Sequence, residues 1–223
     1  MAKKAARQKA QRAKKRQSGA SASGTYGSAE IMRAAAYPLH ECLIPENLFE
    51  VGIGHVLVTR RLGNRIVVVS FLVDVYCLGV KDALFATVPA EAYDLIVERS
   101  GCGFPMVPID PACARKLVEG AVAYAQNLGL RAHEDYEASK LIFGDIDVTA
   151  CTTAFEFGKD GKPLFVSGPH DTSARCNLIL AALEKHCGPK GFHYVLAGCR
   201  FRRGKLQLLK LQDRRMALDA IWP

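Results

Sequence analysis

The sequence predicts an α+β fold in which a mainly antiparallel sheet, built from hairpins, packs with three to four helices. Two patterns carry this prediction. Runs of β-branched residues are joined by short turns that contain glycine, and the segments between them show no regular strand–helix alternation. A third pattern separates a basic N-terminal tail from the rest, since residues 1–29 are rich first in Lys and Arg and then in Ser and Gly. We therefore expect a disordered tail with linker over 1–29 and a single α+β domain over 30–223.

The clearest local signal is a β-hairpin near the start of the domain. Gly54–Leu62 and Arg65–Leu78 are both rich in β-branched residues, and the Gly63-Asn64 pair between them is typical of a two-residue hairpin turn. This turn pairs Leu62 with Arg65 and therefore places His55 opposite Leu72. One face of the hairpin then carries an apolar set that predicts the core: Val56, Val58, Val67, Val69, Phe71, Val73, Val75 and Cys77.

The remaining elements follow from helix start and stop signals and from turn residues. Asp110 before Pro111 predicts an N-cap with proline in the first turn, and Gly129 predicts the end of that helix after Leu128. Asp171 is the N-cap that we expect for the helix Thr172–Cys187. Other helices are expected at Glu30–Ala36, Asn47–Glu50 (or a turn), Ala90–Arg99 and His133–Phe143. Two further hairpins are expected at Phe155–Val166, turning at Asp160-Gly161, and at His193–Leu211, turning near Arg203-Gly204.

Charge is concentrated at the start of the chain. Residues 1–16 hold eight Lys and Arg and no acid, while the whole chain has a net charge of +8, so residues 30–223 sum to zero. A short cationic segment of this kind can contact the phosphates of a polyanion without reading bases. The contacts are predicted for Lys3, Lys4, Arg7, Lys9, Arg12, Lys14, Lys15 and Arg16, and a second basic set in the last hairpin contributes Arg200, Arg202, Arg203 and Lys205.

Several function classes are not expected from the composition. No run of eighteen apolar residues is present, so we expect no membrane-spanning helix, and no apolar segment follows the basic start as a secretory signal requires. The eight cysteines occur singly with no CxxC spacing, so no metal site and no cofactor is expected, and most of the cysteines are expected to be small buried hydrophobes. The expected location is the cytoplasm, and the oligomeric state is left open.

The second face of the first hairpin contains an alternative site. His55 lies diagonally between Ser70 and Asp74, an order that a serine–histidine–carboxylate relay requires. The interpretation that we prefer is structural: His55 pairs with Asp74 beneath a covering helix. Asp74 and Asp82, with Asp145 and Asp147, also permit a metal-dependent nuclease, although capping or solvated carboxylates are the commoner case.

Three segments resemble a family of uncharacterised bacterial proteins. They are FLVDVYCLGVKD over residues 71–82, FGKDGKPL over 157–164 and GPHD over 168–171. The resemblance covers about residues 40–200 and leaves the basic tail outside. It implies a compact bacterial cytoplasmic domain and implies no catalytic activity.

The sequence therefore favours a protein without a catalytic role whose basic tail holds nucleic acid or a ribonucleoprotein surface such as the ribosome. The alternative is a hydrolase or metal-dependent nuclease that uses the face containing His55, Ser70, Asp74 and Asp82, with the tail concentrating the enzyme on its substrate.

Overall fold

The computed structural model describes residues 27–196. Its centre is a five-stranded sheet in the order β4-β3-β2-β1-β5, and every neighbouring pair of strands is antiparallel. The strands are β1 Leu39–Pro45, β2 Ile53–Leu62, β3 Arg65–Asp74, β4 Gly79–Pro89 and β5 Met106–Pro108. The predicted α+β class with a mainly antiparallel sheet is confirmed.

Six α-helices accompany the sheet in the described part of the chain. They are α1 Ser28–Ala35, α2 Leu48–Val51, α3 Tyr93–Ser100, α4 Pro111–Asn127, α5 Tyr136–Ser139 and α6 Ser173–Cys187. Three 3-10 turns lie at Ala90–Ala92, Lys140–Phe143 and Val148–Ala150. No helix within residues 27–196 is both long enough and apolar enough to cross a membrane.

The first hairpin forms in the predicted register. Leu62 lies opposite Arg65 and His55 lies opposite Leu72. Gly63 adopts a φ of +60°, which an L-residue with a side chain rarely accepts, so the turn depends on this glycine. The strand ends at Asp74, four residues earlier than predicted, and the chain turns there into β4. We had not predicted β4 or β1, since Lys81 and Asp82 interrupt the apolar pattern of β4.

One face of the sheet forms the main core. Its valines and Phe71 pack against the inward residues of α4, among them Leu117, Val118 and Ala121. The ring of Phe71 stacks on that of Phe143 with centroids 5.6 Å apart. Helix α4 begins as predicted, because the Asp110 carboxylate accepts hydrogen bonds from the backbone N–H groups of Ala112 at 2.9 Å and Cys113 at 3.3 Å.

The second face of the sheet is covered over only part of its area. Leu57, Ile66 and Val68 pack with Leu43 and with Tyr93, the first residue of α3, in a smaller apolar cluster. Leu84 of β4, which lies opposite Ser70, is 52% exposed. Helix α3 therefore covers one half of this face, and β4 carries an exposed apolar side chain on the other.

The two later hairpins were predicted from local signals, and the first of them is wrong. Strand β6, Leu164–Val166, pairs in parallel with β7, His193–Val195, and α6 connects the two. Only the turn at Asp160-Gly161 forms locally, closed by a bridge between Lys159 and Lys162. The other half of the last predicted hairpin lies outside the described residues.

Two smaller corrections concern helices. The predicted helix His133–Phe143 is one α-turn, α5, continued as the 3-10 turn Lys140–Phe143. Thr172, rather than Asp171, is the N-cap of α6: its hydroxyl accepts from the N–H of Arg175 at 3.2 Å. The Asp171 carboxylate instead accepts from the N–H of Gly168 at 2.7 Å and pairs with Arg175.

Candidate functional site

His55 and Ser70 are in direct contact on the second face of the sheet. They sit on β2 and β3, and the Nδ1 of His55 lies 2.9 Å from the Oγ of Ser70, within hydrogen-bond distance. His55 is half-buried, whereas Ser70 is only 8% exposed. The contact joins a base to a hydroxyl, and the small exposure of Ser70 restricts the approach of a substrate to that hydroxyl.

Asp74 does not join this pair. It is 6% exposed, and its Oδ1 accepts hydrogen bonds from the backbone N–H groups of Tyr76 at 3.0 Å and Cys77 at 2.9 Å. The carboxylate thus closes the turn that leads from β3 to β4. Neither the expected His55–Asp74 pair nor the relay through Asp74 forms.

The burial of Asp74 changes its acidity. Burial raises the pKa of this carboxyl to about 6, although Lys81 and the N–H donors of the turn act in the opposite direction. Since the two backbone donors favour the ionised form, burial is the larger effect. Asp74 therefore titrates close to the range in which histidine does, and it does so inside a structural turn.

Asp82 is the acid that acts electrostatically on His55. Burial lowers the pKa of His55, and the Asp82 carboxylate partly opposes that shift. Asp82 lies on β4 opposite Leu72, which in turn lies opposite His55, so a full strand separates the two side chains. The Asp82 Oδ1 is 3.9 Å from Nδ1 of His133, whose other acidic neighbour is Asp135 at 3.6 Å. The group around His55 is thus a histidine–serine pair with a distant carboxylate.

The carboxylates considered for a nuclease do not converge. Asp147 accepts hydrogen bonds from the N–H and hydroxyl of Thr149 and so caps the 3-10 turn Val148–Ala150, while Asp145 borders a cavity. Within residues 27–196, no three His, Cys, Asp or Glu side chains are placed to hold one metal ion.

That cavity is a feature that sequence reasoning missed. It has a volume of about 890 Å³ and lies between α1, α4 and the 3-10 turn Lys140–Phe143, with Arg60, Arg115 and Lys140 among its lining residues. Arg60 is only 5% exposed and donates to the carbonyls of Tyr37, Ile142 and Phe143 at 3.0–3.1 Å. The strand register was the available signal for the burial of Arg60, since this residue lies on the same face as Val56 and Val58.

The cations of the cavity are already engaged within the protein. The Nε of Arg115 donates to Glu119 at 2.8 Å and its Nη1 donates to the carbonyl of Ile146 at 2.7 Å. Lys140 pairs with Glu137 at 2.6 Å and lies over the ring of Tyr136. These side chains hold the surrounding loops together, so we assign them a structural role.

Charge is distributed unevenly between the described body and the two ends of the chain. Residues 27–196 contain fifteen Lys and Arg against twenty Asp and Glu, a net of −5. Residues 197–223 contain seven Lys and Arg against two Asp, a net of +5, and residues 1–16 carry +8. All of the predicted phosphate contacts, in 1–16 and in 200–205, lie outside the described residues. The neutral total of residues 30–223 therefore combines an acidic body with a basic end.

Comparison with protein-family models, with curated proteins and with solved structures finds no match to this chain. The resemblance of residues 71–82, 157–164 and 168–171 to an uncharacterised bacterial family accordingly stays a prediction. Function has to be argued from this chain's own residues.

Proposed function

We propose that this protein binds nucleic acid, or a ribonucleoprotein surface such as the ribosome, through the basic residues of its N-terminal segment. The observation that carries this proposal is the segregation of charge: +8 over residues 1–16 and +5 over 197–223 flank a body of −5. A chain that gained positive charge merely for solubility has no physical reason to collect it at both ends and leave the body acidic.

The chemistry of the segment fits phosphate rather than base recognition. Residues 1–16 consist of Lys, Arg, Gln and Ala apart from the first methionine, and they contain no aromatic side chain on which a base could stack. Their eight cations displace counterions from a polyanion, which gives affinity that depends on salt and little on sequence. Discrimination among nucleic acids would then have to come from another part of the protein.

The acidic body is not suited to bind a polyanion by itself. Its net charge repels phosphate at long range, and the cations that line the large cavity already bond to carbonyls and carboxylates of the protein. The two ends of the chain are therefore the proposed attachment points. The second contact set consists of Arg200, Arg202, Arg203 and Lys205.

Three full-length proteins test this proposal in one binding assay. The first is the unaltered chain; in the second, all eight Lys and Arg of residues 1–16 are changed to Gln; in the third, only Arg200, Arg202, Arg203 and Lys205 are changed to Gln. Binding to a fluorescent single-stranded RNA and to a duplex DNA of equal length is measured at low salt.

We expect the variant with eight substitutions to lose most of the affinity and the variant with four to lose a smaller part. The reason is that the number of cations in contact with phosphates governs this kind of binding. Unchanged affinity in the variant with eight substitutions would contradict a role for the N-terminal segment. The absence of binding by the unaltered chain to either probe would contradict nucleic-acid binding altogether.

A second candidate function, a hydrolase, is supported by the 2.9 Å contact between His55 and Ser70. In that case His55 would act as the base and Ser70 as the nucleophile, without a carboxylate at relay distance on the other imidazole nitrogen. A fluorophosphonate probe that reacts with activated serines tests it. Labelling that Ser70→Ala abolishes supports the hydrolase, whereas no labelling of Ser70 contradicts it.

A further inference from the structure

A disulfide between Cys113 and Cys151 joins helix α4 to the loop that follows α5. Cys113 is the third residue of the helix after the N-cap Asp110, and Cys151 directly follows the 3-10 turn Val148–Ala150. The two cysteines are 38 residues apart in the chain. Within residues 27–196, Cys42, Cys77, Cys102 and Cys187 are free thiols. No CxxC spacing or clustered pair predicts this disulfide, and most of the cysteines are expected from the sequence to be small buried hydrophobes.

The two cysteines differ in their exposure. Cys113 is half-buried at the surface of α4, whereas Cys151 is only 5% exposed. Thiol–disulfide exchange requires that a thiolate approach one sulfur while the other departs. An incoming thiolate can therefore reach Cys113 and would displace Cys151.

Charged groups of both signs lie beside the pair, and the negative one is the Asp110 carboxylate, which accepts a hydrogen bond from the N–H of Cys113 at 3.3 Å. Cys113 sits in the first turn of a 17-residue helix, where the partial positive charge of the helix N-terminus is greatest. Lys116 donates from Nζ to the carbonyl of Cys151 at 2.9 Å and so holds an ammonium group at the backbone of that cysteine. The Oγ1 of Thr153 lies 3.7 Å from the Sγ of Cys113. The core thiol of Cys42 shows the contrast, because burial raises its pKa to about 12.

The disulfide fastens a segment that has little other regular structure. Residues 145–154, which we name the strap, contain only the 3-10 turn Val148–Ala150. Hydrogen bonds from Arg115 to the carbonyl of Ile146 and from Lys116 to the carbonyl of Cys151 also hold the strap on α4. Beyond the strap the chain is anchored separately, by stacking of Phe155 on Phe49 and of Phe157 on Tyr124. Opening the disulfide would therefore loosen the strap and leave the main core in place.

We propose that Cys113 and Cys151 form a reversible dithiol–disulfide exchange site, with Cys113 as the sulfur that exchanges and the strap as the segment that responds. In the first step, a thiolate of a dithiol reductant attacks the Sγ of Cys113. The protein's S–S bond breaks, and the Sγ of Cys151 leaves as a thiolate and takes up a proton.

In the second step, the other thiol of the reductant loses its proton and attacks its partner sulfur in the mixed disulfide, which releases Cys113 as a thiolate that is protonated in turn. The protein gains two electrons and two protons, and the reductant is oxidised to its own disulfide. The reverse reaction with an oxidised dithiol closes the strap again.

The experiment uses the full-length protein, without denaturant, in glutathione buffers of increasing reduced-to-oxidised ratio. Samples are quenched with iodoacetamide and mapped by mass spectrometry. We expect reversible interconversion of the disulfide and dithiol forms within this series, with glutathione found on Cys113 as the intermediate. A pair that opens only in denaturant, that does not close again on oxidation, or that carries glutathione on Cys151 would overturn the proposal.

Variants separate exchange from a purely structural role. In Cys151→Ser, the mixed disulfide should accumulate on Cys113, whereas the matched control Cys102→Ser should behave like the unaltered chain, since Cys102 is an exposed free thiol. Lys116→Gln should slow the exchange several-fold, while Lys116→Arg should largely restore it. Equal rates in these two Lys116 variants and the unaltered chain would overturn the assigned role of the ammonium group.

Hydrogen exchange tests the strap itself. On reduction, the amides of residues 145–154 should exchange faster, whereas those of β3 should keep their protection. Uniform loss of protection would show that the disulfide stabilises the whole fold, and no change in the strap would show that it does not respond. Either result would overturn the second part of the proposal.

Discussion

The two faces of strand β3 meet different surroundings although their residues alternate along one strand. Val69, Phe71 and Val73 point into the main core and are completely buried against α4 and its neighbours. Ser70 and Asp74 point to the other face, where α3 covers only part of the sheet, and there each makes a polar contact. The alternation of a strand thus decides which face a residue joins, while the elements packed on that face decide what its side chain can do.

The largest effect is expected on the main core. Phe71→Ala removes a ring that is 0% exposed and stacked on Phe143, so the free energy of unfolding should fall by about 3–5 kcal/mol. Urea denaturation followed by circular dichroism measures it. Phe71→Leu, which refills most of the volume, should lose clearly less. Similar losses in both variants would mean that packing of the ring is not the cause.

Asp74 gives the next largest effect, and it depends on pH. The folded state holds this proton up to about pH 6, whereas the unfolded state releases it near the ordinary pKa of 3.8. Between these values the folded protein binds more protons, so this group makes stability fall as pH rises from about 4 to 6, by about 3 kcal/mol in total.

Asp74→Asn should remove that fall, since the amide oxygen can still accept from Tyr76 and Cys77 while no charge is buried. The measurement is urea denaturation of both proteins at several pH values across this window. Asp147→Asn is the control, because its carboxyl is exposed and its pKa is lowered. In this variant, the slope of the free energy of unfolding against pH should not change over the pH range in which Asp74 acts. An unchanged slope in Asp74→Asn would contradict the raised pKa.

A smaller effect is expected for the polar contact on the second face. Ser70→Ala removes the hydroxyl that meets the Nδ1 of His55 and should lower the free energy of unfolding by about 1 kcal/mol. A double-mutant cycle with His55→Ala isolates the contact from the effects of each side chain alone. A coupling energy of zero would mean that the two groups do not stabilise each other.

The smallest effect is expected on β4 at the exposed Leu84. Leu84→Ala should change the free energy of unfolding by no more than about 0.5 kcal/mol, because the side chain is already 52% exposed. Leu57→Ala, on the half of the same face that α3 covers, should instead cost about 2–5 kcal/mol. Equal losses in the free energy of unfolding at the two positions would contradict the conclusion that α3 covers Leu57 and leaves Leu84 exposed.

The sequence predicted those features whose signals lie in neighbouring residues, and it missed those that depend on contacts between distant segments. The hairpin register and the start of α4 depend on neighbouring residues, namely Gly63-Asn64 and Asp110-Pro111, and both were predicted correctly. The pairing of β6 with β7 depends on a segment that returns after α6, and no local pattern at Phe155–Val166 reveals it. Local turn residues therefore predicted a hairpin where only the turn exists.

The candidate site was likewise predicted only where local signals determine it. The register placed His55 beside Ser70 on one sheet face, because opposite and diagonal positions follow from the turn. It could not show that Asp74 would turn towards the N–H groups of Tyr76 and Cys77, since that choice depends on where β3 ends. Nor could it pair Cys113 with Cys151, which meet only after the loop folds back on α4.

The most direct test of the proposed function is the dependence of nucleic-acid affinity on salt. For the full-length protein, a plot of log Kd against log salt concentration should be steep, with a slope of up to about 6 on single-stranded RNA and about 7 on duplex DNA if all eight cations of residues 1–16 contact phosphates. Changing those eight residues to Gln should leave only a shallow slope from the C-terminal cations. A slope that is equally steep in the variant would contradict the account, because the acidic body or the other end of the chain would then be the binding surface.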